Sequence, residues 1–173
     1  MPEKCVLALG TFDGLHPGHR AVLKECIRLA GELSVKSAVY TFIENPKSLF
    51  GTSPMPLMSC EEKCAGMREL GIDEIHAVHF TPELARLSPE EFVAQLSDSY
   101  NPAGLVAGAD YTFGAHKSGT AAVLEELGRA RGIAVSIIPL VTSDNTKISS
   151  TRIRAALEAG DTAAAAMLMK GEV

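Results

Sequence analysis

Five short runs of nearly unbroken apolar residues recur along this chain: CVLALG (5–10), SAVYTF (37–42), IHAVHF (75–80), GLVAGA (104–109) and IAVSIIPL (133–140). A strand with one wet face alternates polar and apolar residues. Runs without alternation therefore predict strands covered on both faces, as in a parallel sheet sandwiched by helices. Helical patterns fill the intervals. Residues 17–31 place Val22, Leu23, Cys26, Ile27 and Ala30 on one stripe. Ser59 with Glu62 reads as a capping box for a helix ending near Gly71, and Ser88-Pro89-Glu90-Glu91 repeats the signature with proline at the first helical position. Residues 120–131 make another helix, and two short ones close the chain at 150–158 and 161–170, the last capped by Asp161. This alternation predicts an α/β fold: a single doubly wound, Rossmann-like domain with a mainly parallel five- or six-stranded sheet and right-handed crossovers. Ligands of such sheets bind beyond the carboxyl ends of the strands. The irregular stretches 44–58, 110–119 and 141–149 each follow an expected strand, so they should gather at that edge.

Composition narrows the partners. At 173 residues the chain is long enough to bury one substantial core. Its net charge of −5 argues against nucleic acid or a membrane surface as partner, since both call for a basic face. A small anionic ligand, needing only a few local donors, is compatible with that charge. The N-terminus carries no signal-like segment, and no apolar stretch approaches the roughly 18 residues of a membrane span. Cys5, Cys26, Cys60 and Cys64 form no C-x-x-C pair, Cys5 and Cys26 fall in apolar patterns, and no metal site is expected from them. These features point to a reducing, cytoplasmic setting.

The densest chemistry lies in LGTFDGLHPGHRAVL (9–23). Pro17 belongs in the first turn of a helix, which makes His16 the N-cap and His19 the third helical residue. Those two positions are neighbours, so the imidazoles converge beside a helix terminus that attracts anions. Gly10, Gly14 and Gly18 would let backbone approach a ligand. Three readings follow: a phosphate site, a metal site with Asp13 as third ligand, or a capped helix with two exposed histidines. The glycines favour phosphate over zinc.

A second element, NTKISSTRIRAAL (145–157), sets hydroxyls and a basic pair at the start of another helix. Ser150 and Thr151 share a face with Arg154, at i+4 and i+3, whereas Arg152 points elsewhere and should make a surface or sheet contact. The plain alternative is an N-cap with ordinary surface arginines. A third, GADYTFGAHKSGT (108–120), places Asp110 directly after a buried strand, with Tyr111 and Phe113 available to pack against a planar ring or to join the core. His76 and His79 lie three apart in a strand, so they face opposite sides, and both read as structural or incidental.

GTFDGLHPGH resembles the H-x-G-H motif of the nucleotidyltransferase superfamily. With GADYTFG, KSG and ISSTRIR in that order, the chain is similar to the adenylyltransferase module of bacterial bifunctional riboflavin kinase/FAD synthetases. The likeness runs through EEKCAGMRELGIDEIHAVHF and LSPEEFV and covers nearly the whole chain. The resemblance implies an enzyme that moves AMP from ATP to FMN by direct in-line attack, releasing pyrophosphate, with Mg²⁺ accompanying the ATP. It implies His16, His19 and Arg154 as catalytic residues. Gly10, Thr11, Phe12, Asp13, Gly14, Gly18, Ser149, Ser150 and Thr151 would bind ATP, and Phe42, Asp110, Tyr111 and Phe113 would shape the flavin side. Residues 1–173 would be one nucleotidyltransferase domain without a riboflavin kinase domain. Alternatives are a related transferase with another phosphorylated acceptor and a non-catalytic flavin- or nucleotide-binding protein. One departure stands out: Phe42-Ile43-Glu44-Asn45-Pro46 lacks the first proline of the family's Phe-x-Pro-x-Pro segment and adds the charge of Glu44.

Overall fold

The computed structural model describes residues 2–51 and 54–171. Strands β1 (Cys5–Leu9), β2 (Lys36–Phe42), β3 (Glu74–Val78), β4 (Pro102–Gly108) and β5 (Ala134–Ile138) form one sheet in the order β3-β2-β1-β4-β5. Every neighbouring pair is parallel. The sheet has five strands, at the lower of the two expected counts.

Strand alternation divides the core in two. Cys5, Leu7 and Leu9 of β1 face Phe92, Val93 and Leu96 of α4 (Pro89–Tyr100) and Leu124 of α5 (Ala121–Ala130). Val6 and Ala8 point the other way, into Val22, Leu23 and Cys26 of α1 (Pro17–Leu33) and Met67 of α2 (Cys60–Leu70). Burial on both faces is thus the physical origin of the unbroken apolar runs. A smaller cluster joins Ile148, Ile153, Ala165 and Leu168, packing α6 (Ser150–Glu158) against α7 (Thr162–Lys170).

Caps terminate the helices where polar residues were expected to do so. Ser88 and Glu91 exchange both bonds of a capping box. At α2 only half of the expected capping box forms, Ser59 accepting the Glu62 amide at 3.0 Å; Gly71 closes α2 at φ 108°, and Asp161 caps α7. The irregular stretches carry more structure than their sequence suggested. Residues 46–50 and 115–117 are 3-10 turns, and β6 (Thr142–Ser143) pairs antiparallel with β7 (Thr146–Lys147). Asp144 and Asn145 both take positive φ in that two-residue hairpin, a conformation those side chains tolerate. A short helix α3 (Pro82–Ala85), capped by Thr81, was not anticipated.

The chain leaves β1 toward β2 on one side and reaches β4 on the other. The gap between the carboxyl ends of β1 and β4 is therefore the topological switch point, where ligands of such sheets bind.

Candidate active site

At that switch point lies a cleft of about 1220 Å³, lined from the β1–α1 turn, the ends of β2 through β5 and the start of α6. It exceeds the roughly 300–1,000 Å³ typical of a site for one small ligand.

His16 caps α1 as expected, its Nδ1 accepting the amides of Gly18 at 3.1 Å and His19 at 3.4 Å. An accepting Nδ1 carries no proton, which puts the ring's N–H on Nε2. The imidazoles of His16 and His19 stack with centroids 3.6 Å apart. His16 is only 6% exposed, which rules out a capped helix with two freely exposed histidines. Burial pushes the His16 imidazolium down to about 4, with Lys147 adding to the effect. Burial, and then repulsion between the His19 imidazolium and the neighbouring His16 and Lys63, hold His19 well below the usual histidine range. Both rings are thus neutral at pH 7. Nδ1 of His19 is buried without a hydrogen-bond partner among the described residues.

The glycines of the turn serve the protein's own side chains. A Cβ at Gly18 would stand 2.9 Å from the His16 ring, and one at Gly14 (φ 89°) 2.7 Å from Leu57. Phe12, 1% exposed, lies in the core beneath the pair, its ring edge-to-face with His19 at 5.5 Å. Asp13 is likewise turned inward: its carboxylate accepts the amides of Leu57 at 3.0 Å and Met58 at 3.3 Å. It also pairs with Arg154, leaving no free carboxylate for a metal beside the histidines. Among the described residues no group of three or more His, Cys, Asp or Glu could hold a metal ion.

The second element arrives beside the first. Ser149 caps α6, Ser150 Oγ donates to the Asp13 carbonyl at 2.7 Å, and Ser149, Ser150, Thr151 and Arg154 all line the cleft. Arg152 points away, donating to the carbonyls of Ser143 at 3.0 Å and Thr146 at 2.9 Å, which braces the hairpin. The division of the two arginines by helical face therefore holds.

The opposite wall is apolar. Phe42 meets Phe80 edge-to-face at 5.0 Å, and Phe50, 72% exposed, stands 6.5 Å from Phe80. Pro46, Leu49, Pro82 and Leu84 extend this wall. Tyr111 and Phe113 stack on each other at 5.7 Å and pack into the core, forming a floor rather than a free clamp. Asp110 pairs with Lys147 at the cleft edge. Glu44 pairs with His79 and accepts the Phe80 amide at 3.2 Å, so its charge is engaged beside the aromatic wall and does not line the cleft.

Sequence reasoning missed Phe80, Phe50 and Lys63. The available signal for Phe80 was its place at the carboxyl end of β3, where cleft residues of a parallel sheet collect. Nothing in the sequence marked Lys63, which sits in an ordinary-looking helical charge pattern.

Residues 1–152 match the family model for FAD synthetase. The bifunctional riboflavin kinase/FMN adenylyltransferase of Listeria monocytogenes is 35% identical over 159 residues, covering 90% of this chain and 50% of that protein. Its Bacillus subtilis counterpart is 34% identical over 170 residues, covering 96% of this chain and 53% of that protein. The chain thus spans about half the length of these relatives. A solved structure described as a macrolide-efflux protein from Streptococcus pneumoniae superposes with a TM-score of 0.86 at 32% identity, over 98% of this chain and 56% of that one. Among the described residues no helix is long and apolar enough to cross a membrane.

Proposed function

The chain belongs to the FAD synthetase family, and from that premise we propose that it transfers AMP from ATP to FMN, giving FAD and pyrophosphate. An FMN phosphate oxygen bonds to the α-phosphorus of ATP while the bond from that phosphorus to the β-bridging oxygen breaks. The electron pair leaves with pyrophosphate, and no covalent enzyme intermediate forms. Residues 1–173 carry the adenylyl-transfer reaction. The setting is cytoplasmic, where ATP is at hand.

One observation carries this reading: a stacked pair of neutral imidazoles, His16 buried and His19 half-buried, on a helix N-terminus, beside a basic, hydroxyl-bearing helix start in a cleft with an aromatic wall. His16 donates from Nε2 and His19 from its ring to phosphate oxygens as charge shifts toward the leaving pyrophosphate. Ser149, Ser150, Thr151 and Arg154 hold the outer phosphates. Phe42, Phe80 and the floor of Tyr111 and Phe113 receive the isoalloxazine. Placing two polyanions in one orientation is most of the catalytic task, because phosphoryl-type transfers need positioning and charge neutralisation rather than covalent help. Mg²⁺ would accompany ATP and help neutralise its phosphate charge.

The test is incubation with ATP and FMN, following FAD and pyrophosphate by chromatography. Stoichiometric FAD and pyrophosphate support the proposal. Turnover of a different phosphorylated acceptor without FAD replaces FMN as substrate, and tight nucleotide binding without turnover of any acceptor identifies a binding protein instead.

A further inference from the structure

We propose that Lys63 is a positioning residue for this reaction, locking the phosphate side and the aromatic side of the cleft into one frame. The inference rests on the reading of the cleft as an adenylyltransferase site.

Lys63 projects from α2 and is 5% exposed. Its ammonium donates to the Thr11 carbonyl at 2.9 Å, the Phe42 carbonyl at 2.9 Å and the Thr41 hydroxyl at 3.2 Å. The Thr41 hydroxyl in turn donates to the Thr11 carbonyl at 3.0 Å. All three donors of the ammonium are thereby used, and every acceptor is neutral. A buried cation without a carboxylate in contact is costly. Packing α2 against the sheet does not need that charge, since an unbranched apolar side chain could fill the same channel.

The bonds explain the arrangement. Thr11 begins the turn that carries Asp13, His16 and His19, and Asp13 holds both Ser150 and Arg154. Phe42 ends β2 and contributes its ring to the aromatic wall. One ammonium therefore ties the segment that places the phosphate donors to the segment that places the acceptor's ring. α2 is itself seated on that turn, for a Cβ at Gly66 would come within 2.4 Å of Leu15. Lys63 does not line the cleft, so it acts through Thr11 and Phe42 rather than on substrate. A positive charge on Lys63 beneath the turn also favours an incoming polyanion.

The experiment compares Lys63→Met, Lys63→Arg and Thr41→Val with wild type in KM for ATP, KM for FMN, kcat and melting temperature. A folded Lys63→Met should raise both KM values together and lower kcat/KM by about 10²-fold, the cost of roughly 1 Å of misplacement. Lys63→Arg should recover most of that loss. Thr41→Val, which removes one arm of the network, should raise both KM values by about 3-fold, and it carries the test if Lys63→Met does not fold. KM values within two-fold of wild type in the folded variants, or a loss confined to one substrate, overturn the proposal. If wild type makes no FAD, the assigned reaction falls. Lys63 is then judged by calorimetric ATP affinity, where an unchanged Kd in Lys63→Met overturns the inference and a weakened Kd restored by Lys63→Arg supports it.

Discussion

Arg154 is paired with Asp13 across 141 positions of sequence, in a pocket where both side chains are nearly buried. The two elements that read as separate anion sites are thus one construction, with the carboxylate of the first orienting the guanidinium of the second. Asp13 works as a support and Arg154 as the group it presents. Replacing Asp13 by Asn keeps acceptors for Leu57 and Met58 but strands the arginine. Breaking such a pair costs roughly 3 kcal/mol, which lowers the melting temperature by roughly 6–12 °C in a domain of this size. Thermal denaturation checks it; an unchanged midpoint would show the pair to be energetically idle.

The two arginines of α6 should separate by readout. Arg154→Ala raises KM for ATP or lowers kcat, because its guanidinium borders the cleft. Arg152→Ala removes two bonds to hairpin carbonyls, so it lowers the melting temperature by roughly 2–6 °C with the smaller kinetic effect. Steady-state kinetics on both variants decides the matter, and a larger kinetic loss for Arg152 would break the helical-face assignment.

His19→Ala should cut turnover by about 10²-fold or more while the fold persists, as for loss of one preorganised transition-state donor. Circular dichroism with a coupled pyrophosphate assay gives both halves of that result. Activity within a few-fold of wild type would contradict the role.

Phe80→Ala should raise KM for FMN by about 5–10-fold through lost ring contact, leaving KM for ATP near wild type. Phe80 meets Phe42 and Phe50 on the wall opposite the histidines. Equal weakening of both substrates would mean that the aromatic wall is not the acceptor side.

Folding depresses the pKa of His16 to about 4 and that of His19 in the same direction. Between pH 6.5 and about 4 the unfolded chain therefore binds protons that the folded chain refuses, so stability falls as pH falls through that window. Below about pH 4 the contribution of His16 no longer changes. Lys147 and Arg20 reinforce the shift at His16, while Asp110 and Asp13 oppose it. His16→Asn keeps an N-cap acceptor without a titrating ring. Its melting temperature should decline less steeply than wild type from pH 6.5 to 4, and parallel profiles would rule out the mechanism.

The sheet, its burial on both faces, the helix caps and the pairing of His16 with His19 were legible in the sequence, because each depends on residues within one or two turns. Strand burial announces itself in runs such as CVLALG, and an N-cap lies a fixed three residues from N3 whatever the rest of the chain does. The separation of Arg152 from Arg154 followed from helix geometry for the same reason. Contacts between distant segments left no such trace. The glycines of the β1–α1 turn read as room for a ligand, yet Leu57 and the His16 ring occupy that room at Gly14 and Gly18. Glu44 read as a stray charge near the acceptor, yet His79 takes it up. Asp13 read as a nucleotide contact; it lines the cleft, and its carboxylate also takes the amides of Leu57 and Met58 and pairs with Arg154. Nothing in the sequence singled out Lys63, which the docking of α2 on the β1–α1 turn buries. Local periodicity and capping chemistry determined which elements form. Which polar groups face each other at the carboxyl edge of the sheet was decided by packing, since a side chain's partners there are set by neighbours in space rather than in sequence.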